Sequence, residues 1–326
     1  MKKLQIAAII CIAVGTLLIL SVLIANGFDM RQINTEKFVK NTVGIVKPIE
    51  EIEVSSSFFD VRIVPTEEGE GASVCYSANK NIYHTVSMLD GKLTIKSIDS
   101  RGWYEKIDLS FGLQEAETII EIRLPAGEYQ QVWITTGSGD VSVEGAGKIS
   151  LERCLVETVS GDVMLTGGGA KTTAVSTTSG DVAISGVACA GGISVITTSG
   201  DTQITDCTAR TLYTASTSGD VLLERCTSEA DTLCKSGSGD VTARDLTAAT
   251  GIQAETTSGD VEMERSDALW LSLKTTSGDV ELALRSSKNF DVKSVSGDVD
   301  CPPGDPNAGG CFVRTASGQI KIAVTP

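Results

Sequence analysis

Aromatic residues are scarce in this chain, at 5% of 326 residues, and it has a single histidine, His84. So few large side chains are thin material for a compact globular core, whereas they suit a stack of small strands and tight turns. Positive charge is short as well. Twenty-seven Lys and Arg stand against 42 Asp and Glu, a net charge of −15, which disfavours nucleic acid or an anionic lipid surface as partner. Divalent cations and basic partners fit better. No Cys-x-x-Cys pair and no Cys/His spacing occurs among the nine cysteines, so zinc is not indicated. No cofactor is expected.

One long hydrophobic run is present. After Met1, Lys2 and Lys3, the residues from Leu4 to Ala25 carry no charge, which matches the roughly 20 residues a helix needs to cross a bilayer. The preceding lysines orient such a span with its N-terminus inside and the rest of the chain outside. A cleaved signal peptide would have a shorter apolar region and small residues before the cut; here Leu23 stands at the third position before a cut after Ala25. The sequence thus predicts a cytoplasmic tail (1–3), one transmembrane helix (4–25), a stalk (26–46) and an extracellular remainder. Cys11 is read as a membrane-helix cysteine.

The remainder is dominated by a repeat. Ser-Gly-Asp recurs with its aspartate at Asp140, Asp162, Asp181, Asp201, Asp220, Asp240, Asp260, Asp279 and Asp298, and a tenth copy reads Ser317-Gly318-Gln319. The intervals are 19–20 residues, apart from 22 at the first step and 21 at the last. A fixed period of this length signals a stacked array. Mostly apolar residues recur eight and six positions before each aspartate and one and three after it, as in Cys154, Val156, Val163 and Leu165 around Asp162. Thr or Ser stands four before it in every copy. Alternation at period two means strands with one buried face. The buried parity changes across Ser-Gly-Asp, so the chain turns a corner there with both flanking strands facing one interior.

The predicted fold is therefore all-β: a parallel β-solenoid of about ten 19–20-residue coils over 131–326, roughly 45–50 Å long at one strand spacing per coil. A β-rich N-terminal cap at 47–130 precedes it, with an Asp90-Gly91 hairpin signal in "HTVSMLDGKLTIKSI". Glycine suits the corner through its tolerance of φ > 0 and of close backbone approach. Ser and Asp beside it can bond local backbone groups. The competing reading makes the aspartate column a calcium comb. Calcium wants six to eight oxygens, and Gln319 replaces Asp without disturbing its coil's pattern. At the far end, Lys321 and Pro326 on the last strand would discourage edge-to-edge growth.

Among the cysteines, Cys154, Cys234, Cys301 and Cys311 fall in inward columns, where free Cys acts as a small hydrophobe. Cys207 and Cys226 share one phase in adjacent coils, and Cys301 and Cys311 flank the irregular "PPGDPNAGG". Both pairs are candidate disulfides outside the cell.

"SGDV", "LDGKLTIKS" and "IEIRLPAGEYQQVWITTGSGDVSVEG" together make residues 47–326 similar to the bacterial DUF4097 family of β-strand repeat proteins, which carries the label "putative adhesin". The resemblance implies a β-solenoid at the cell envelope, often membrane-tethered, with some members tied to envelope-stress signalling. It supplies no catalytic motif.

The expected function is a non-enzymatic surface scaffold or binding module for cell-wall glycan, peptide or another envelope protein. Trp133, Tyr213 and Leu233, on outward columns, are its candidate contacts. The alternatives are a regulatory envelope protein acting through a membrane partner and, more remotely, a polysaccharide-cleaving enzyme. The enzyme would need a localised carboxylate pair, whereas these aspartates are spread evenly along a corner.

Overall fold

The computed structural model describes residues 38–101 and 118–325. The expected tail, the transmembrane helix and most of the stalk lie outside the described residues. No helix among those described is long and apolar enough to cross a membrane. The stalk expected over 26–46 ends earlier than the sequence suggested. Val39–Ile45 is a strand that pairs antiparallel with Ala72–Ala78, its alternate residues Asn41, Val43 and Ile45 half-buried.

The rest is an all-β solenoid whose coils build two sheets. Sheet A takes the short strands that follow each aspartate, such as Val141–Glu144, Val163–Thr166 and Val182–Ser185, paired parallel and in register. Sheet B takes the longer strands that precede it, such as Gly127–Thr136 and Ile149–Thr158. The core lies between them. Val141, Val163, Val182, Val221, Val241, Val261, Val280 and Ile320 line it from sheet A, and Ile134, Val156, Val175, Val195 and Leu273 face them from sheet B, all at most 2% exposed. Burying one such side chain stabilises by about 1.5–3 kcal/mol, so each coil adds a similar increment to the stack.

A second corner lies five residues after the aspartate. Gly167, Gly186, Asp206, Arg225, Asp245 and Arg265 occupy it with φ between 48° and 64°. Left-handed backbone there lets the next residue turn inward again. Val187, Cys207, Cys226, Leu246 and Ser266 consequently form a further buried column. Outside this corner Arg225 pairs with Asp206 (2.7 Å) and Arg265 with Asp245 (2.8 Å) on neighbouring coils.

Chain order and spatial order part company at both ends. At the start, Glu51–Ser56 and Asp60–Pro65 form a true coil directly beneath the first repeat, pairing with Gly127–Thr136 and Val141–Glu144. Beyond it lie Lys92–Asp99 and Ile119–Leu124, covered in turn by the antiparallel strands Ile82–Leu89 and Ala72–Ala78. At the finish, Gly310–Thr315 and Ile320–Val324 slot between Val261–Leu284 and the coil Asn289–Asp300. The strand bearing Lys321 is therefore interior to sheet A, not its edge, and Lys321 pairs with Glu281 at 2.6 Å. The spatial end of the solenoid is Asn289–Asp300.

Candidate binding face

Three hydrogen-bonded columns account for Thr/Ser-x-x-Gly-Asp. The Thr or Ser hydroxyl accepts the N–H of the glycine three residues on, at 2.8–3.2 Å in coils from Thr136–Gly139 to Thr275–Gly278. In the later coils it also donates to the preceding coil's glycine carbonyl, as Thr256 does to Gly239 at 2.8 Å. Each aspartate Oδ1 accepts the backbone N–H of the next coil's aspartate, from Asp60–Asp140 through Asp260–Asp279 at 2.7–2.9 Å, and Asp279 accepts from Gln319. Gln319 lies one level from the end, and its own N–H keeps this partner. The glycines of the repeat corner do not adopt positive φ, contrary to one of the two reasons expected for them. Close approach is the operative one: a Cβ on Gly200 would meet Gly180 O at 1.9 Å, and one on Gly219 would meet Gly200 O at 1.9 Å.

The aspartates are thus spaced one per coil, and from Asp60 to Asp279 one oxygen of each is engaged by backbone. Asp60, Asp140, Asp162, Asp181 and Asp201 border a shallow groove of about 730 Å³ beside sheet A. Burial, with the charge of Asp140 adding, pushes the Asp60 carboxyl above its ordinary range, against the lowering effect of the Asp140 N–H bond. Among the described residues, no cluster of three or more His, Cys, Asp or Glu converges as a metal-ligand set.

Asp60 itself went unrecognised in the sequence. Counting back from it gives Val54, Ser56 and the turn to Val61, the same columns as in every repeat. Ser56 Oγ accepts Phe59 N–H at 2.9 Å, as the Thr/Ser column does elsewhere. Phe59 stands where glycine does in the repeats, and the 80-residue gap to Asp140 hid the match.

The outer surface of sheet B brings the candidate contacts together. The register runs Trp133, Leu155, Ala174, Ser194, Tyr213, Leu233, one residue per coil in a single line. Trp133 is 36% exposed, and Leu155, Tyr213 and Leu233 are half-buried. Two apolar pairs are thereby separated by two small residues, with Trp133 and Tyr213 about 19 Å apart at four strand spacings. Ile196, 47% exposed two positions along from Ser194, joins this face; its outward parity was the available signal. On the same sheet, nearer the second corner, a shallow trough of about 770 Å³ runs across successive coils, floored by Ala170, Cys189 and Ala209 and flanked by Glu128, Glu152 and Lys171.

Cys154, Cys189, Cys207, Cys226, Cys234 and Cys311 are buried in the core, and Cys301 packs against it. All eight described are free thiols, including Cys207, Cys226, Cys301 and Cys311. Cys207 and Cys226 stack on adjacent coils at 0% and 1% exposure. Their mutual hydrogen bond and then burial push the Cys207 thiol up, and burial pushes Cys311 to about 12. His84 is a structural ring. Nε2 lies 2.9 Å from Ser77 O and must carry the proton, while Nδ1 accepts from the Ser97 hydroxyl at 2.9 Å. Burial lowers its pKa.

Three solved structures are similar to this chain. A "putative adhesin" from Bacteroides fragilis is 16% identical over 71% of this chain and 97% of its own, with a TM-score of 0.47. A "putative adhesin" from Parabacteroides distasonis is 10% identical over 76% and 97%, with a TM-score of 0.35. A "putative cell adhesion protein" from Clostridium sporogenes is 9% identical over 89% and 100%, with a TM-score of 0.28. No curated protein matches the chain. The profile of the Toastrack DUF4097 family matches residues 49–245 and 229–325. Coverage of nearly the whole described chain, on a solenoid built from that repeat, decides its kinship: the chain belongs to the Toastrack DUF4097 family.

Proposed function

We propose that the protein is a membrane-tethered, extracellular, non-enzymatic binding module whose sheet B face is the contact surface. The observation that carries this reading is the single line of Trp133, Leu155, Tyr213 and Leu233 on a rigid, continuous sheet. Aromatic side chains presented on a stiff scaffold give contact area at little entropic cost. The small residues between the two pairs leave room for an extended ligand to lie along the solenoid axis. A sugar ring stacked on Trp133 and another near Tyr213 would use that spacing, so cell-wall glycan is the first ligand to test. The apolar run 4–25 supplies the tether in this reading.

The test is binding of the full-length chain in detergent micelles to peptidoglycan fragments and neutral glycans. Trp133→Ala and Tyr213→Ala should each weaken binding by about tenfold, the loss of one stacking contact. Binding that ignores both substitutions would move the contact surface elsewhere, and no binding to any glycan would leave the face to a protein partner.

A further inference from the structure

We propose that the chain self-associates tail to tail: a second copy docks on the terminal coil across a two-fold axis at Val292 and continues sheet B. This goes beyond the binding face described above and uses none of its residues.

Asn289–Ser294 and Val299–Asp300 pair with neighbouring strands on one side only among the described residues. Core columns closed elsewhere stand open here. Phe290 and Val292 are half-buried, Val299 is 46% exposed, and Val295 beside them is 76% exposed. A free strand edge over an open apolar core is a template for another chain.

The edge is complementary to itself. Asn289 and Val295 donate their N–H groups inward, to Gly309 O and Thr315 O. Backbone groups alternate in direction along a strand, so Phe290, Val292 and Ser294 turn theirs to the free side. An antiparallel copy centred on Val292 sets Val292 opposite Val292 and Phe290 opposite Ser294. Those pairs exchange the free-side hydrogen bonds with side chains facing the joined core. The same register sets Asp291 opposite Lys293 of the copy, and Lys293 opposite its Asp291.

Lys293 is otherwise in an unfavourable place. It stacks in register on Arg314, which stacks on Lys274, and like charges directly opposite are destabilising. Earlier in the same line of sheet B, Lys235, Glu255 and Lys274 alternate in sign from coil to coil, with Lys235–Glu255 at 3.5 Å. Asp291 of its own chain meets Arg314, and the copy's Asp291 meets Lys293. The 301–309 loop covers only the beginning of the edge, where Asp305 N–H donates to Lys288 O at 3.0 Å with Gly304 beside Phe290; docking moves it aside. The two-fold interface uses this edge once in each copy, so association through it closes at a dimer and does not grow into a fibre.

Sedimentation of the full-length chain in density-matched detergent, at rising protein concentration, tests this. The expected result is a concentration-dependent dimer. Asp291→Lys and Lys293→Asp should each weaken it by about tenfold or more, because two ion pairs become two repulsions. The double variant should restore it. Val292→Pro, whose lost N–H faces the free side, should abolish the dimer in a chain that stays folded by circular dichroism. A monomer at every concentration overturns the proposal. So does a dimer indifferent to the single reversals, or a folded double variant that stays monomeric.

Discussion

At the N-terminal end the first coil is covered in both sheets by antiparallel strands, and its interior is plugged by aromatic rings. Phe59 packs edge-on to Phe38 (5.9 Å between centroids) and to His84 (4.5 Å), and Tyr76 packs edge-on to His84 (5.0 Å). At the C-terminal end the last coil has, among the described residues, no capping strand and no such plug; only the 301–309 loop crosses the start of its edge. Phe290 and Val292 hold the core positions there half-exposed. A chain with few aromatics has placed several of them at one end. A repeat coil satisfies its neighbours but not itself, so an array needs something different wherever it stops. Here one end is finished within the chain and the other is not.

Truncating the plug should have the largest effect. Phe59→Ala should cost about 3–5 kcal/mol as a fully buried large-to-small change, whereas Phe290→Ala at the open end should cost about 1 kcal/mol, since less of its area leaves water. Equal losses in chemical denaturation of the two variants would erase the contrast between the ends.

Corner glycines sharpen the comparison at the next scale. Gly219→Ala forces a Cβ to within 1.9 Å of Gly200 O, between coils held on both sides, and should cost about 3 kcal/mol. Gly297→Ala meets Gly318 O at the same 1.9 Å, but the terminal coil can move outward, and about 1 kcal/mol is expected. Thermal midpoints of the pair distinguish steric confinement from an intrinsic corner preference, which would make the two equal.

His84 reports on the closed end alone. Its folded pKa lies below the ordinary 6.5, so between the two values the unfolded chain binds more protons and stability rises with pH. The contribution is full above 6.5 and is lost as pH falls below it. Thermal midpoints at pH 7.5 and pH 5 should differ in this direction, and His84→Gln should flatten the difference. A drop unchanged by that substitution would assign the acid sensitivity to other groups.

The smallest effect expected is a gain within the repeats. Thr202 stands in the column otherwise held by Val or Ile, and its Oγ1 is buried without a hydrogen-bond partner. Thr202→Val should stabilise by about 1 kcal/mol by removing an unmet polar group. A loss on denaturant titration would place a bound water at that hydroxyl.

Much of this was legible in the sequence because period-two burial writes itself into residue type. The columns around Asp162 and the outward line of Trp133, Tyr213 and Leu233 follow from counting. Three features did not follow. The coil of Val54 and Val61 was concealed by Phe59 at the glycine position. The insertion of Cys311–Val324 beneath Phe290–Asp300 leaves no trace, since both coils carry the same columns and a period says nothing of which level a coil occupies. The trough near Ala170 and Cys189 depends on a register shift between Ala170 and Thr173, a matter of backbone path. Glycine offers the corner both positive φ and close approach, and only the neighbouring backbone shows that close approach is the one used.

Native-state hydrogen exchange along the chain tests the central claim most directly. The account predicts slow, near-uniform exchange for the amides of Asp162 through Asp279, each held by the neighbouring coil's carboxylate. At monomeric dilution, protection should be comparable at Glu51–Ser56 and fall steeply over 292–300. Exchange that is fastest at Glu51–Ser56, or equal at both ends, would contradict it.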